Sequence, residues 1–233
     1  MTQVFASQVL PSEEFSLVSR QFMLLLPDYA RDRVLRNKQP LDRQRSLLGE
    51  IMIRAVIRKF KELPPDQIEL GITEKGKSFL RGMHDFHFNL SHSGKWVVVA
   101  VSVHEVGVDI EKIEKARFEV AKRFFSRDEY QQLQSLHGEV KNFQFYSLWT
   151  VKESYLKYLG KGLTQALSSF SVRNNHGKME LEQSSDLMSK VYFHQYQLPE
   201  NHLVSVCSPE DHFSREIQII SHSDLFNMLQ NGK

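Results

Sequence analysis

The stretch Val106-Gly-Val-Asp-Ile-Glu-Lys-Ile113 is the most informative part of the chain, because it predicts a short strand with one apolar and one acidic face. Side chains alternate across a strand, so the three apolar residues point to one side, while Asp109 and Glu111 point to the other beside the bare backbone of Gly107. Two carboxylates on one face suit a hard cation such as Mg2+. The same pattern also fits the solvated face of an edge strand, so the stretch needs support from the rest of the chain.

A second motif, Trp149-Thr-Val-Lys-Glu-Ser-Tyr-Leu-Lys157, predicts a helix. Glu153 and Lys157 are four residues apart and therefore share a helical face. One interpretation is an exposed ion pair beside a core tryptophan. The other is that Glu153 adds a third carboxylate to the predicted cation site and that Lys157 meets an anionic group of a substrate next to it.

Two further segments carry groups that bind phosphate. Asn89-Leu-Ser-His-Ser-Gly94 predicts a polar turn between two strands, where hydroxyls, an imidazole and backbone N–H groups form a phosphate nest, or where a hairpin simply requires Ser and Gly. Residues 31–45 hold the most basic stretch of the chain, which fits either a solvated helix surface or a polyanion site. Together the motifs at 89–94, 107–111 and 149–157 indicate a site in which a metal ion, carboxylates and cations surround a phosphoanhydride.

Composition restricts the class of protein. At 233 residues with 41% apolar residues, the chain can bury one large core or two small ones. Its single cysteine, Cys207, excludes an internal disulfide framework and favours a reducing compartment. No segment has the pattern of a secretory signal or of a membrane span, so we expect a soluble cytoplasmic protein without a membrane partner. A net charge of +2 is too small for a dedicated nucleic-acid binder.

The order of predicted elements indicates an α+β fold that repeats itself. A helix followed by strands occurs in each part of the chain, which predicts two similar α+β halves, 1–105 and 106–233, with a cleft between them. Strands are predicted at 15–18, 68–71, 87–90, 96–103, 106–110, 169–172, 191–197 and 203–207. Helices are predicted at 28–35, 41–61, 119–125, 126–136, 142–159 and 223–229. Ser126 and Glu129 form a predicted capping box.

Taken together, the motifs at 89–93, 107–111 and 149–157 resemble those of the 4′-phosphopantetheinyl transferases of the Sfp type. The likeness extends from about Arg45 to Val172. It implies a monomeric pseudo-dimer of two α+β halves, in which coenzyme A binds in the cleft between the halves. It also implies transfer of 4′-phosphopantetheine from coenzyme A to a serine of an apo peptidyl or acyl carrier protein, with release of 3′,5′-ADP. Such transfer activates non-ribosomal peptide, polyketide or fatty-acid synthases.

The resemblance assigns a role to individual residues. Asp109, Glu111 and Glu153 would hold Mg2+ against the pyrophosphate of coenzyme A. Contacts with coenzyme A itself are implied for Arg33, Arg45, Ser46, Lys77, Ser91, His92 and Lys157. Ala30 and Ser78 depart from the family pattern, near the nucleotide and after Gly76-Lys77 respectively.

In the implied reaction the carrier serine attacks the β-phosphate, Glu153 is the first candidate for the base, and Lys157 stabilises the leaving phosphate. Glu129 is the reserve base. A cationic and apolar surface for the carrier is expected directly after the metal strand, at Lys112, Lys115, Arg117, Phe118, Lys122 and Arg123. Two other functions stay open from the residues alone: a non-catalytic module that binds coenzyme A or a carrier protein, and a Mg2+-dependent phosphohydrolase or nuclease.

Overall fold

The computed structural model describes residues 1–160, 162, 165–175, 177–182 and 190–231. The strands are β1 Gln3–Gln8, β2 Leu70–Ile72, β3 Ser78–Leu80, β4 His87–Ser93, β5 Trp96–Ser102, β6 Gly107–Lys112, β7 Ser171–Asn175, β8 Lys178–Glu182, β9 Tyr192–Leu198, β10 His202–Ser208 and β11 Gln218–Ile219. The helices are α1 Ser12–Leu24, α2 Asp28–Leu35, α3 Pro40–Lys61, α4 Phe118–Phe124, α5 Arg127–Gln134, α6 Gly138–Leu159 and α7 His222–Asn231. None of the helices in these ranges is long and apolar enough to cross a membrane.

A four-stranded sheet and the 22-residue helix α3 form the first core. The strand order is β11-β1-β5-β4, with β5 antiparallel to both of its neighbours and buried along its whole length. Pro40 opens α3 at a position where its missing N–H costs nothing, and basic residues in the last turn complement the helix dipole. The end of the chain returns to this core, because β11 pairs in parallel with β1 and α7 packs against α3.

A three-stranded antiparallel sheet and the 22-residue helix α6 form the second core. The strand order is β6-β10-β9, and α6 packs across β6 and β10. Gly107 makes this packing possible, because a Cβ atom at that position would lie 2.0 Å from the carbonyl oxygen of Ser154 and 2.3 Å from the backbone nitrogen of Tyr158. The absence of a side chain therefore lets the helix backbone contact the strand backbone directly.

The two sheets meet through a third apolar cluster. Val4 and Val98 contribute to it from the first sheet, and Val108, Ile110 and Val204 from the second. Each of these side chains is at most 1% exposed. The predicted alternation along β6 is therefore confirmed, since its apolar face is buried between the sheets and its carboxylate face is turned toward β4 and α6.

Most predicted elements are confirmed within a few residues, and the mixture of helices and sheets confirms the α+β class. The predicted strand at 15–18 is wrong. Phe15 and Val18 lie on α1, where they pack with Phe22 at helical spacing against the first core. Strands β1, β3, β8 and β11 were not predicted. The segments 68–71 and 169–172 are predicted as strands throughout, but the strands β2 and β7 each begin two residues later, after short 3-10 turns.

The predicted turn at 89–94 is also wrong. Strand β4 continues through this polar segment to Ser93, which pairs with Trp96 of β5, and only Gly94 and Lys95 form the turn. Gly94 adopts a positive φ of 53°, which suits a two-residue hairpin loop. The polar side chains remain in a strand because β6 gives them backbone partners.

Candidate active site

Strand β4 joins the two cores through its side chains. Asn89 Oδ1 accepts a hydrogen bond from the Val108 N–H at 2.9 Å, Ser91 Oγ accepts from Ile110 N–H at 3.4 Å, and Ser93 Oγ accepts from Lys112 N–H at 3.2 Å.

Every second residue of β4 thus satisfies every second N–H group along the edge of β6. The spacing of two along both strands makes this possible, since side chains and N–H groups repeat with the same period. The arrangement fixes the register of β4 against β6, and it places both serine hydroxyls beside the carboxylate face.

Lys157 and Asp109 form the centre of the site. Lys157 Nζ donates to Asp109 Oδ1 at 2.6 Å and to Ser91 Oγ at 2.8 Å, and Ser91 Oγ donates to the same carboxylate oxygen at 3.0 Å. Nearby, Ser93 Oγ donates to Glu111 Oε2 at 3.0 Å. Asp109 and Ser91 are buried, whereas the Lys157 side chain is 29% exposed and therefore reaches solvent from the C-terminal part of α6.

The charge of Asp109 acts on two neighbouring carboxyl groups, those of Glu111 and Glu153. Burial raises the pKa of Glu111 to about 7, and the negative charge of Asp109 adds to that rise. Burial also raises the pKa of Glu153, again with a contribution from Asp109, while Lys157 acts in the opposite direction. Strand β6 and helix α6 therefore bring the three predicted carboxylates within electrostatic reach of one another, as the structural basis of a cation site would require.

The carboxylate oxygens at this site are suitable ligands for a divalent cation, but the side chains do not lie close enough together to surround one. Asp109 Oδ2 is buried and, among the residues that the structure describes, has no hydrogen-bond partner, although a buried carboxylate oxygen normally has one. Within the described ranges, however, no three His, Cys, Asp or Glu side chains come close enough together to hold a metal ion as they stand. The orphaned oxygen and the all-carboxylate chemistry suit Mg2+.

An arginine-lined cavity of about 790 Å3 lies beside this centre. Arg33, Arg45, Ser46 and His92 line it, together with Lys77. Its acidic residues are already paired, because Glu50 contacts Arg33 at 3.2 Å and also bonds a buried arginine, and Asp42 contacts Arg45 at 3.1 Å.

The field in this cavity is positive. Partial removal of water lowers the pKa of His92, and the charges of Arg45 and Lys157 lower it further. Arg45 is itself oriented by a hydrogen bond from its Nε to the carbonyl oxygen of Gly94 at 2.9 Å. A cavity of this size and sign suits a phosphorylated ligand.

A smaller cavity of about 300 Å3 continues from the first toward α6. The two cavities share residues 76–77 and 89–90, and Glu153 and Lys157 line only the smaller one. The site is therefore a continuous cleft with arginines at one end and Glu153 with Lys157 at the other.

The predicted site residues fall into three groups in and beside this cleft. Arg33, Arg45, Ser46 and His92 lie along the larger cavity, Glu153 and Lys157 along the smaller, and Ser91, Asp109 and Glu111 along the seam of β4 and β6. Lys77 borders both cavities, but its ammonium group is bonded to Glu105 and to two backbone carbonyls.

Sequence reasoning missed the buried ion pair behind the site. Lys152 is fully buried, and its Nζ donates to both oxygens of Glu129 at 2.7 Å and to the carbonyl oxygen of Phe170 at 2.6 Å. Glu129 also accepts from the N–H groups of Ser126, which confirms the capping box, and of Val172. These bonds occupy the carboxylate, so the structure favours a structural role for Glu129 over that of the reserve base.

Comparison with known proteins yields matches along nearly the whole chain. Residues 105–207 match the family described as the 4′-phosphopantetheinyl transferase superfamily, and residues 11–104 match 4′-phosphopantetheinyl transferase, N-terminal. The 4′-phosphopantetheinyl transferase Sfp of Bacillus subtilis (strain 168) is 34% identical over 223 residues, which are 95% of this chain and 97% of that relative. The 4′-phosphopantetheinyl transferase psf-1 of Bacillus pumilus is 37% identical over 191 residues, 82% of each chain.

One solved structure with a partial likeness is a holo-(acyl-carrier-protein) synthase from Bacillus anthracis str. Ames, in complex with CoA (3′,5′-ADP). It has a TM-score of 0.39 and 23% sequence identity, over 44% of this chain and 92% of that one. The fold described above rests on the chain's own strands and helices.

Proposed function

The chain belongs to the 4′-phosphopantetheinyl transferase superfamily, and from that membership and the geometry of the cleft we propose which residues perform the transfer. It is an enzyme that moves the 4′-phosphopantetheine group of coenzyme A to a serine of an apo carrier protein. The activity as such excludes the alternative of a purely non-catalytic binding module. The residue roles, the metal and the subunit organisation given below are proposals.

One observation carries the assignment of the reacting centre. Asp109 lies between the two cores, with one buried oxygen bonded to Lys157 and the other without a partner in the described part of the chain, at the end of a cleft lined by arginines. A phosphoanhydride placed along this cleft would have arginines at its nucleotide end and Lys157 beside its reacting phosphates. Both ends of the substrate would then meet positive charge.

Coenzyme A would occupy the larger cavity. Arg33, Arg45 and His92 would contact its phosphates, and Ser46 would donate a hydrogen bond from the same wall of α3. Ser91 would act through Lys157, because its hydroxyl is buried and bonded to that ammonium group. Lys77 would form part of the wall through its backbone and aliphatic stem.

Asp109, Glu111 and Glu153 would hold Mg2+, as two observations suggest: one Asp109 oxygen has no partner among the described residues, and the charge of Asp109 raises the pKa of the other two carboxyl groups. Bound there, the ion would act as a Lewis acid on the charge that grows on the pyrophosphate oxygens.

The protein groups perform the remaining steps of the transfer. The serine oxygen of the carrier forms a bond to the β-phosphorus while the bond from that phosphorus to the oxygen of 3′,5′-ADP breaks. Glu153 accepts the serine proton on the oxygen that the bound ion would leave free. Lys157 stabilises the electron pair left on the departing phosphate.

The carrier protein would dock after β6. Lys112, Lys115, Arg117, Lys122 and Arg123 are exposed there, and Phe118 is half-buried beside them. Exposed cations around an apolar side chain suit an acidic helix of a carrier domain from a peptide, polyketide or fatty-acid synthase.

We further propose that residues 1–105 and 106–233 form two related halves of a monomeric pseudo-dimer. Each sheet packs against one helix of 22 residues, and the two sheets face each other across the apolar cluster. Strand β11 and helix α7 belong to the second half in sequence but pack on the first core, so they would be an addition to the two repeated halves. We also propose that this pseudo-dimer acts as a monomer in the cytoplasm.

Intact-mass measurement of an apo peptidyl carrier protein tests the residue roles. With coenzyme A and Mg2+, Asp109→Ala and Glu153→Gln should each slow the gain of one phosphopantetheine unit by on the order of a hundredfold or more. Glu216→Gln, which removes an exposed carboxylate far from the cleft in sequence, is the matched control and should transfer normally. Circular dichroism confirms that each variant is folded. Near-normal turnover in either site variant would contradict the assignment.

A further inference from the structure

Lys77 uses all of its hydrogen-bonding capacity inside the protein. Its Nζ donates to Glu105 Oε2 at 2.5 Å, to the carbonyl oxygen of Val106 at 3.1 Å and to the carbonyl oxygen of Tyr158 at 3.1 Å. A lysine ammonium group has three N–H donors. The side chain is 11% exposed, so no donor is left for a ligand in the cleft.

The three acceptors belong to two different parts of the second core. Glu105 and Val106 immediately precede β6, whereas the Tyr158 carbonyl belongs to the last four of α6, which lack intrahelical partners. A cation placed against the C-terminus of a helix is stabilised by the helix dipole. Lys77 therefore caps α6 from a distant segment and ties the start of β6 to the same point.

The lysine itself belongs to the hairpin of β2 and β3. Thr73 and Lys77 close its turn, since the Thr73 N–H donates to the Lys77 carbonyl at 2.8 Å and the Lys77 N–H donates to Thr73 Oγ1 at 3.0 Å. Gly76 and Lys77 of this turn line both cavities of the cleft. The hairpin is thus a wall of the cleft, and α6, on the other side, carries Glu153 and Lys157.

Gly160 shows how closely the turn approaches the end of α6. It follows the helix with a φ of 60°, and a Cβ atom there would lie 3.2 Å from Lys77 Cδ. Glu105 extends the same joint to β4, because its second oxygen lies 3.1 Å from His87 Nδ1.

We propose that Lys77 is a positioning residue that fastens the β2–β3 hairpin to the C-terminal end of α6 and thereby fixes the width of the cleft, instead of binding a phosphate of the substrate. This rests on the proposed function insofar as the cleft holds coenzyme A. The fastening itself is a property of the free protein.

Two single substitutions and their combination test the proposal. Lys77→Met removes the ammonium group and keeps the aliphatic stem, whereas Glu105→Gln removes the charge of its partner and keeps the shape. Lys75→Met is the matched control, because Lys75 is an exposed lysine in the same turn. Hydrogen exchange of the backbone amides at 70–80 and denaturant unfolding are measured without ligand, and KM for coenzyme A and kcat are measured with an apo carrier protein.

If Lys77 fastens the hairpin, Lys77→Met and Glu105→Gln each speed amide exchange at 70–80 by about tenfold, and the double variant is no faster than Lys77→Met. Both single variants then raise KM for coenzyme A by a similar factor, with less effect on kcat, and Lys75→Met leaves exchange unchanged. If Lys77 instead binds a phosphate, only Lys77→Met raises KM, while Glu105→Gln frees the ammonium group and leaves KM unchanged or lower. That result would overturn the proposal.

The readouts without ligand separate this proposal from the proposed function. Suppose that both single variants speed amide exchange at 70–80, that the double variant is no faster, and that the protein transfers no phosphopantetheine. This result would uphold the fastening role and refute the assigned reaction. Unchanged exchange in Lys77→Met, in an enzyme that transfers normally, would refute the fastening role and leave the reaction intact.

Discussion

Replacement of Gly107 by alanine tests how the site is held together. The added Cβ would lie 2.0 Å from the carbonyl oxygen of Ser154 and 2.3 Å from the nitrogen of Tyr158, whereas ordinary contacts begin near 3.4 Å. Both contacts are to backbone, so no side chain can rotate away. Helix α6 must therefore move away from β6 by roughly 1.4 Å, the difference between the clash and a normal contact.

This displacement has two measurable consequences. Overpacking of this kind costs about 3 kcal/mol of unfolding free energy, which corresponds to a fall in Tm of about 6–12 °C for a chain of this length. The 2.6 Å bond between Lys157 Nζ and Asp109 Oδ1 would also lengthen to roughly 4 Å, beyond hydrogen-bonding range. We therefore expect Gly107→Ala to lose most of its transfer activity at temperatures where it is still folded.

Gly82→Ala is the control for the loss of a glycine as such. Gly82 has a φ of 73°, and no heavy atom of the described residues lies within 4 Å of an added Cβ, so the substitution costs only the strain of a left-handed backbone, about 1–2 kcal/mol. Denaturant unfolding and the carrier mass assay are run on both variants. A Gly107→Ala protein as stable and active as the wild type would refute the reasoning about the contact of α6 with β6.

Three further predictions concern groups around the site. Lys152→Met should cost about 3–5 kcal/mol of unfolding free energy because it leaves Glu129 buried and unpaired. Adding Glu129→Gln to this variant should restore part of the loss in denaturant unfolding. If the losses of the two single variants simply add in the double variant, the pair is not coupled. Ser93→Ala removes a donor to Glu111 and should cost about 1 kcal/mol in denaturant unfolding, with no change expected if the hydroxyl is solvated instead. Burial lowers the pKa of His222 in the folded protein, so the unfolded chain binds the proton more tightly and stability falls as the pH drops below the ordinary histidine pKa near 6.5. The stability difference between wild type and His222→Gln should therefore shrink between about pH 7.5 and about pH 5.5, and a constant difference would contradict the buried environment.

Helices α3 and α6 and the carboxylate strand β6 could be predicted from the sequence because each has a local signal. Helical spacing of apolar residues identifies α3 and α6, and strict alternation identifies the two faces of β6. Segment 15–18 was mistaken for a strand because four residues are too few to separate the two periods. Strand β1 buries Val4, Phe5, Ala6 and Ser7 in a row without alternation, and its place depends on pairing with β5 and β11, which no local pattern indicates.

The site itself was only partly accessible from the sequence. The acidic and basic residues were found through motifs and through the family they resemble, but their mutual contacts depend on the register of β4 against β6. The bonds of Asn89, Ser91 and Ser93 with the β6 backbone set that register. They also explain why this segment is a strand where the sequence predicts a turn. The pairing of Lys152 with Glu129 joins residues 23 positions apart. The capping box singled out Glu129, but no local pattern identifies Lys152 as its partner.

The protein transfers phosphopantetheine to a carrier serine, and we propose that this transfer depends on a bound metal ion. The most direct measurement is the intact mass of an apo peptidyl carrier protein incubated with this protein, coenzyme A and Mg2+, beside one sample with EDTA and one carrier whose acceptor serine is alanine. The account predicts a gain of one phosphopantetheine unit that requires both the metal and the serine. An equal gain in EDTA would contradict the metal site, and no gain with several carriers, despite bound coenzyme A, would contradict the transfer.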